Sequence, residues 1–154
     1  MKSQRKLDAT QSMRPLEESL PLKLLKAREA VMEQFRPLLN EAGVTEQQWR
    51  VLRALVEHER MDAGDLARLV CIRMPSLSRI IRDLEGRELI SKHRSQKDRR
   101  QIDVCITRAG RSFFKTASRD SEKSYATIEK SFGQDRLDRL MQELDALVRS
   151  MPKH

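Results

Sequence analysis

Between Pro75 and Leu84 the chain sets Leu77, Ile80, Ile81 and Leu84 at positions i, i+3, i+4 and i+7. At about 100° per residue these four share one stripe of an α-helix, so that edge must face a core. Arg79 and Arg82 project from the other side, flanked by Ser76 and Ser78. Pro75 suits the first helical position, where a missing N–H costs nothing, so the helix starts there and presents its serines and Arg79 from the first two turns. A helix divided in this way fits a DNA groove. Arginine can hold guanine O6 and N7 through two parallel hydrogen bonds, serine can reach base edges or phosphate, and the helix N-terminus favours an anion. For this helix alone, the alternative is a solvated basic face on an ordinary core helix.

The charge distribution bears on that choice. The 154-residue chain has a formal net charge of +8. Between Arg68 and Arg119 stand 14 Lys or Arg against five Asp or Glu, so this third of the chain carries the whole positive excess. Charge held in one segment is a footprint, and a phosphate backbone is its natural counterpart. The length indicates one domain, or a small domain with helical extensions. Five Gly and five Pro beside abundant Leu, Arg, Glu, Ala and Lys indicate a mainly α-helical fold.

Other classes find little support. No apolar run approaches the roughly 20 residues that cross a bilayer, and the first residues lack the apolar core of a signal peptide, so a cytoplasmic protein with no membrane partner is expected. Residues 1–15, with Lys2, Arg5, Lys6 and Arg14, read as a disordered basic lead. Cys71 and Cys105 are too few and too far apart for a disulfide framework or a metal site. Three scattered His and no nucleophile motif speak against an enzyme, and no cofactor or metal is expected.

Helix signals punctuate the rest. A first helix is expected from about Glu17 to Asn40, interrupted or bent near Pro37 and closed by Gly43. Thr45 with Gln48 fits a capping box opening a helix to about Glu57. Asp62 and Asp65 begin a short helix to about Val70, and the tight Cys71 to Met74 connection joins it to the helix at Pro75, making a helix-turn-helix. The period then changes. Leu89 to Arg94 and Gln101 to Ile106 read as strands, the second alternating Ile102, Val104 and Ile106 with Asp103 and Cys105. Between them Ser95-Gln96-Lys97-Asp98-Arg99-Arg100 makes a basic tip. A basic hairpin directly after a recognition helix is the wing of a winged helix, and its tip can place an arginine in the narrow minor groove.

The candidate DNA contacts are therefore Arg73, Pro75, Ser76, Ser78, Arg79 and Arg82 from the helix, with Arg94, Lys97, Asp98, Arg99 and Arg100 from the hairpin. Thr107 caps a long helix through Phe113, Phe114 and Tyr125, and a last helix follows Gly133. There Leu137, Leu140, Met141, Leu144, Leu147, Val148 and Met151 recur at steps of three and four. Leu20, Leu24, Val31, Phe35 and Leu38 form a second stripe near the other end. Packing within one chain is one outcome. A two-fold homodimer is favoured, because paired half-sites suit pseudo-palindromic double-stranded operator DNA. The expected organisation is a winged helix at 43–106 and a helical dimerisation region at 16–42 and 107–151.

The order of these elements, with Pro75-Ser76-Leu77-Ser78-Arg79, Leu84-Glu85-Gly86-Arg87-Glu88-Leu89-Ile90, Asp98-Arg99-Arg100 and Ile106-Thr107-Arg108-Ala109-Gly110, resembles the MarR family of transcriptional regulators over roughly residues 16–150. The resemblance implies that Asp98 ties down the arginines of the wing and that Arg100 enters the minor groove. Many members carry Asp-Pro-Arg ahead of this Asp-x-Arg; here Ser95-Gln96-Lys97 stands instead. Leu24-Leu25-Lys26-Ala27-Arg28-Glu29-Ala30, Phe35-Arg36-Pro37 and Thr45-Glu46-Gln47-Gln48-Trp49-Arg50 are similar to the branch that represses homoprotocatechuate (4-hydroxyphenylacetate) degradation operons.

That branch, with related regulators of the family that respond to hydroxycinnamates, salicylate or aryl-CoA thioesters, implies an aromatic effector, and the family resemblance places it between terminal helices and winged helix. Arg28 lies in a stripe with Leu24, Val31, Met32 and Phe35, where a charge is costly unless paired. It is either half of a salt bridge, with Glu29 of a partner chain or another acid, or a carboxylate anchor. In the second case its guanidinium grips an aromatic acid whose ring packs on Trp49, Phe35 or Phe113, with Arg50 as a further anchor. The function expected is a ligand-responsive repressor of an aromatic-compound catabolic operon. Two alternatives stay open: a thiol-based redox sensor of the same fold and a sequence-indifferent architectural DNA-binding protein.

Overall fold

The computed structural model describes residues 13–152, which form two compact units divided between Gln34 and Phe35. The expected basic lead lies, up to residue 12, outside the described residues. Within the first unit a 3-10 turn, Leu16–Glu18, precedes helix α1, Leu20–Glu33, none of whose residues is buried. The helix expected from Glu17 to Asn40 is interrupted just before Pro37. A proline at 37 has no N–H for the carbonyl of Glu33, and its ring would collide with it, so α1 stops at Glu33. Helix α2, Arg36–Ala42, begins afresh with Pro37 in its first turn. It ends at Gly43 in the left-handed region at φ +67°, and it buries Leu38 and Leu39.

Helix α3, Glu46–His58, opens on the reciprocal capping box: Thr45 Oγ1 accepts from Gln48 N at 3.1 Å, and Gln48 Oε1 accepts from Thr45 N at 3.0 Å. Asp62 caps α4, Ala63–Leu69, by accepting from Gly64 N and Asp65 N. Helix α5, Met74–Gly86, follows, with Met74 rather than Pro75 as its first residue. Leu77, Ile80, Ile81 and Leu84 are all buried, as their spacing requires, against a core that holds Val51, Leu52, Leu55, Leu66, Ile90 and Val104. Each such side chain removed from water contributes about 1.5–3 kcal/mol, and this burial holds α5 in place.

The expected two-stranded hairpin is in fact part of a three-stranded antiparallel sheet, in the order β1-β3-β2. Strand β2, Ile90–Arg94, pairs with β3, Ile102–Ile106, from Ile90 opposite Ile106 to Arg94 opposite Ile102. The added strand β1, Arg60–Asp62, lies between α3 and α4 and pairs with β3, Arg60 opposite Cys105. Three residues are too short to show an alternating period, and their partner lies far along the chain, which is why periodicity missed them.

The long helix expected after Thr107 is also divided. Helix α6, Arg108–Ala117, gives way to a 3-10 turn, Ser118–Asp120, and then to α7, Ser121–Phe132. Ser118 donates its hydroxyl to Lys115 O and Ser121 donates to Ser118 O at 2.6 Å; such local bonds compete with the regular helical ladder. Helix α8, Gln134–Ser150, buries no residue within the chain, and Leu140, Met141, Val148 and Met151 are exposed. Among the described residues no helix is long and apolar enough to cross a membrane.

Candidate nucleic-acid interface

Viewed down its axis, α5 buries one edge and turns Pro75, Arg79 and Arg82 to the opposite side at about 100° per residue, with Ser76 and Ser78 on its flanks. All five residues are exposed, as is Arg73 at the N-cap. Among the described residues no hydrogen bond or ion pair engages Arg79 or Arg82. The helix is fixed to its neighbours instead at its C-terminal half, where Lys92 of β2 reaches Glu85 at 3.1 Å and Arg87 donates to Gly43 O at 3.1 Å.

The wing is organised by its own polar atoms. Ser95 N donates to Gln101 O at 3.0 Å, closing the hairpin. The Ser95 hydroxyl accepts from Lys97 N at 3.2 Å, and Ser95 is buried rather than exposed with the rest of the basic tip. Asp98 Oδ1 accepts from the backbone N–H of Arg100 at 2.9 Å, so the carboxylate holds the turn by its main chain. Arg94, Lys97, Arg99 and Arg100 are exposed around it.

The residues expected to hold an effector fall in different places. Arg28, on α1, pairs with Glu29 of its own helix at 3.2 Å, with both side chains about half exposed, and Met32 lies on the same helix. Arg50 does not face the aromatic residues: its Nη1 donates to Val70 O at 2.7 Å, just after α4. Phe113 lies under the Arg87 guanidinium, 5.3 Å from its centroid, and lines a groove of about 310 Å³ rimmed by Glu41 and Asp120. Those carboxylates would repel an acid.

The ring that meets Trp49 is Phe114, one residue on and about 100° around α6, stacked at 4.5 Å between centroids and 21° between planes. Phe35 meets Tyr125 edge-on at 5.1 Å. Arg53, one turn after Trp49 on α3, donates to Tyr125 Oη at 3.3 Å and to Glu57 at 3.1 Å. Those two bonds, the tyrosine's first, raise its pKa above the ordinary arginine value, so it keeps its charge. Arg53 and Tyr125 were absent from the sequence-based set. The available signal was the i, i+4 spacing of Trp49 and Arg53, which puts them on one helix face.

The sequence pattern of the MarR family matches residues 44–102, from the start of α3 to the base of the wing. The chain is 35% identical to the homoprotocatechuate degradative operon repressor of Escherichia coli over 133 residues, 86% of this chain and 90% of that one. The crystal structure of NadR in complex with 4-hydroxyphenylacetate superposes with a TM-score of 0.78 at 33% identity, covering 90% of this chain and 99% of that one. The repressor CouR, bound to a 23-mer DNA duplex, superposes with a TM-score of 0.77 at 26% identity, covering 86% and 94%. With this winged helix and that identity over most of both chains, the protein belongs to the MarR family of transcriptional regulators.

Proposed function

We propose that the protein is a homodimeric repressor of an aromatic-compound catabolic operon that leaves its operator when it binds a small aromatic acid or the CoA thioester of one. The observation that carries this reading is the pairing, in one chain, of exposed arginines on α5 and the wing with a polar aromatic site on α3. Arg79 and Arg82 read base edges in the major groove. Arg73, Ser76 and Ser78 contact phosphate or base edges, Pro75 opens the surface, and Arg94, Lys97 and Arg99 hold the backbone while Arg100 enters the minor groove. The duplex in the CouR complex is long enough for two half-sites one helical turn apart. The uncovered apolar face of α8 supports a dimer that presents two recognition helices at that spacing, about 34 Å.

For the effector, the Arg53 guanidinium and the Tyr125 hydroxyl offer a carboxylate anchor and a hydroxyl partner beside the Trp49–Phe114 stack and Phe35. NadR binds 4-hydroxyphenylacetate and the Escherichia coli relative represses a homoprotocatechuate operon, which supports a hydroxyphenyl acid. A ligand that prefers one half-site spacing over another shifts the population away from the DNA-competent dimer, so ligand and operator compete by linkage.

The test is binding of the purified protein, at fixed salt, to DNA upstream of its own gene, with and without hydroxyphenylacetates, hydroxycinnamates, their CoA thioesters and salicylate. Release by one of them, weakened in Arg53→Ala more than in Arg28→Ala, is the expected result. Tight binding that none of them releases would refute the effector assignment, and equal affinity for any duplex would refute operator recognition.

A further inference from the structure

We propose that Arg50 is the positioning residue that couples α3 to the recognition helix. Its Nη1 donates to Val70 O at 2.7 Å, and Val70 is the residue that ends α4. The chain then passes through Cys71 in the left-handed region at φ +52° and the buried Ile72 to Arg73, the N-cap of α5. Arg50 thus holds the last carbonyl before the turn of the helix-turn-helix. Its Nε is buried and has no hydrogen-bond partner among the described residues.

The other end of the link is the preceding residue. Trp49 stacks on Phe114, and Arg53 reaches Tyr125 from the next turn. Along α3 Val51, Leu52 and Leu55 are fully buried, so the helix is packed as a rigid rod, and a small rotation forced at Trp49 and Arg53 is felt at Arg50. A shift of Val70 O displaces the N-terminus of α5, where Ser76, Ser78 and Arg79 stand. The inference rests on the effector reading only in naming the Trp49 face as the place where a ligand acts; the physical link itself is independent of it.

By reciprocity, DNA bound at α5 must be felt at Trp49. Trp49 is the chain's only tryptophan, so its emission, excited beyond DNA absorption, reads α3 directly. The probe is a duplex selected by the wild-type protein from a random pool. Saturating duplex should shift Trp49 emission in the wild type. Arg50→Met should bind about tenfold more weakly, as loss of a charge-assisted bond implies, and should lose the emission shift even when saturated. Arg50→Lys should keep part of the shift.

A merely structural or electrostatic role would weaken binding yet leave the full shift at saturation, which overturns the proposal, as does a wild type that shows no shift. If Arg50→Met fails to fold by circular dichroism, Arg50→Lys and Arg50→Gln decide by the same readout. With 4-hydroxyphenylacetate added, no release from the wild type alongside a lost shift in Arg50→Met removes the effector reading and leaves the coupling. Equal fold-release in wild type and Arg50→Met removes the coupling and leaves the effector reading.

Discussion

Replacing Gly110 with alanine sets helix propensity against packing, and the structure supplies both sides. A Cβ at Gly110 would lie 2.0 Å from Leu89 O, 2.7 Å from Ile106 Cδ1 and 3.0 Å from Leu89 C. A carbon and a carbonyl oxygen ordinarily approach to no less than about 3.2 Å, so α6 would have to retreat by about 1 Å from a backbone that cannot yield like a side chain. The same carbonyls hold that end of the helix: Thr107 N donates to Leu89 O at 3.1 Å and Thr107 Oγ1 donates to Glu88 O at 2.7 Å. Weakening those two bonds costs about 1 kcal/mol each. Overpacking costs about 1–3 kcal/mol. Alanine recovers about 1 kcal/mol of helix propensity, so the substitution should destabilise by about 3 kcal/mol. In urea denaturation at fixed protein concentration, the midpoint should fall with the slope unchanged. Gly86→Ala, whose Cβ meets nothing within 4 Å, is the control and should be neutral or up to about 1 kcal/mol more stable. A Gly110→Ala protein as stable as wild type would show that α6 is not pressed on Leu89 and would refute the reasoning.

Three further outcomes are expected. Arg79→Ala should weaken binding to the selected duplex by about 1–3 kcal/mol and relax its preference, whereas Lys97→Ala should weaken all duplexes alike and lower the salt slope by about one; equal losses of Arg79→Ala on specific and random DNA would argue against base readout. Leu140→Glu, on the exposed face of α8, should move sedimentation from dimer towards monomer and reduce operator affinity, and an unchanged dimer would exclude that face from the interface. Glu88 holds φ +59°, so Glu88→Gly should stabilise by about 0.5 kcal/mol in thermal unfolding, the relieved strain exceeding the entropy of a more flexible unfolded chain.

The elements legible in the sequence are those whose cause is local. The capping box of Thr45 and Gln48, the left-handed Gly43 and the buried stripe of α5 each follow from residues within one or two helical turns. The same holds for β3, where the alternation of Ile102, Val104 and Ile106 with Asp103 and Cys105 is enough. The interruption near Pro37 is local in the same sense, whereas the break after Ala117 is not. The proline at 37 has no N–H for Glu33, and Leu38 and Leu39 beyond it are buried within the second unit. After Ala117 the competing bonds run from ordinary serines, whose hydroxyls can point to solvent equally well.

The amino-acid order alone determined that this chain would build a basic, mainly helical winged helix, because periodicity, caps and charge placement act over a few residues. Only the tertiary structure decided which side chains meet. It added β1 to the sheet through a register with β3, set Phe114 rather than Phe113 against Trp49, brought Tyr125 to Arg53 across a separation of 72 residues, and turned Arg50 to the carbonyl of Val70. These contacts join residues far apart in sequence, and a rotation of about 100° around a helix separates the right neighbour from the wrong one.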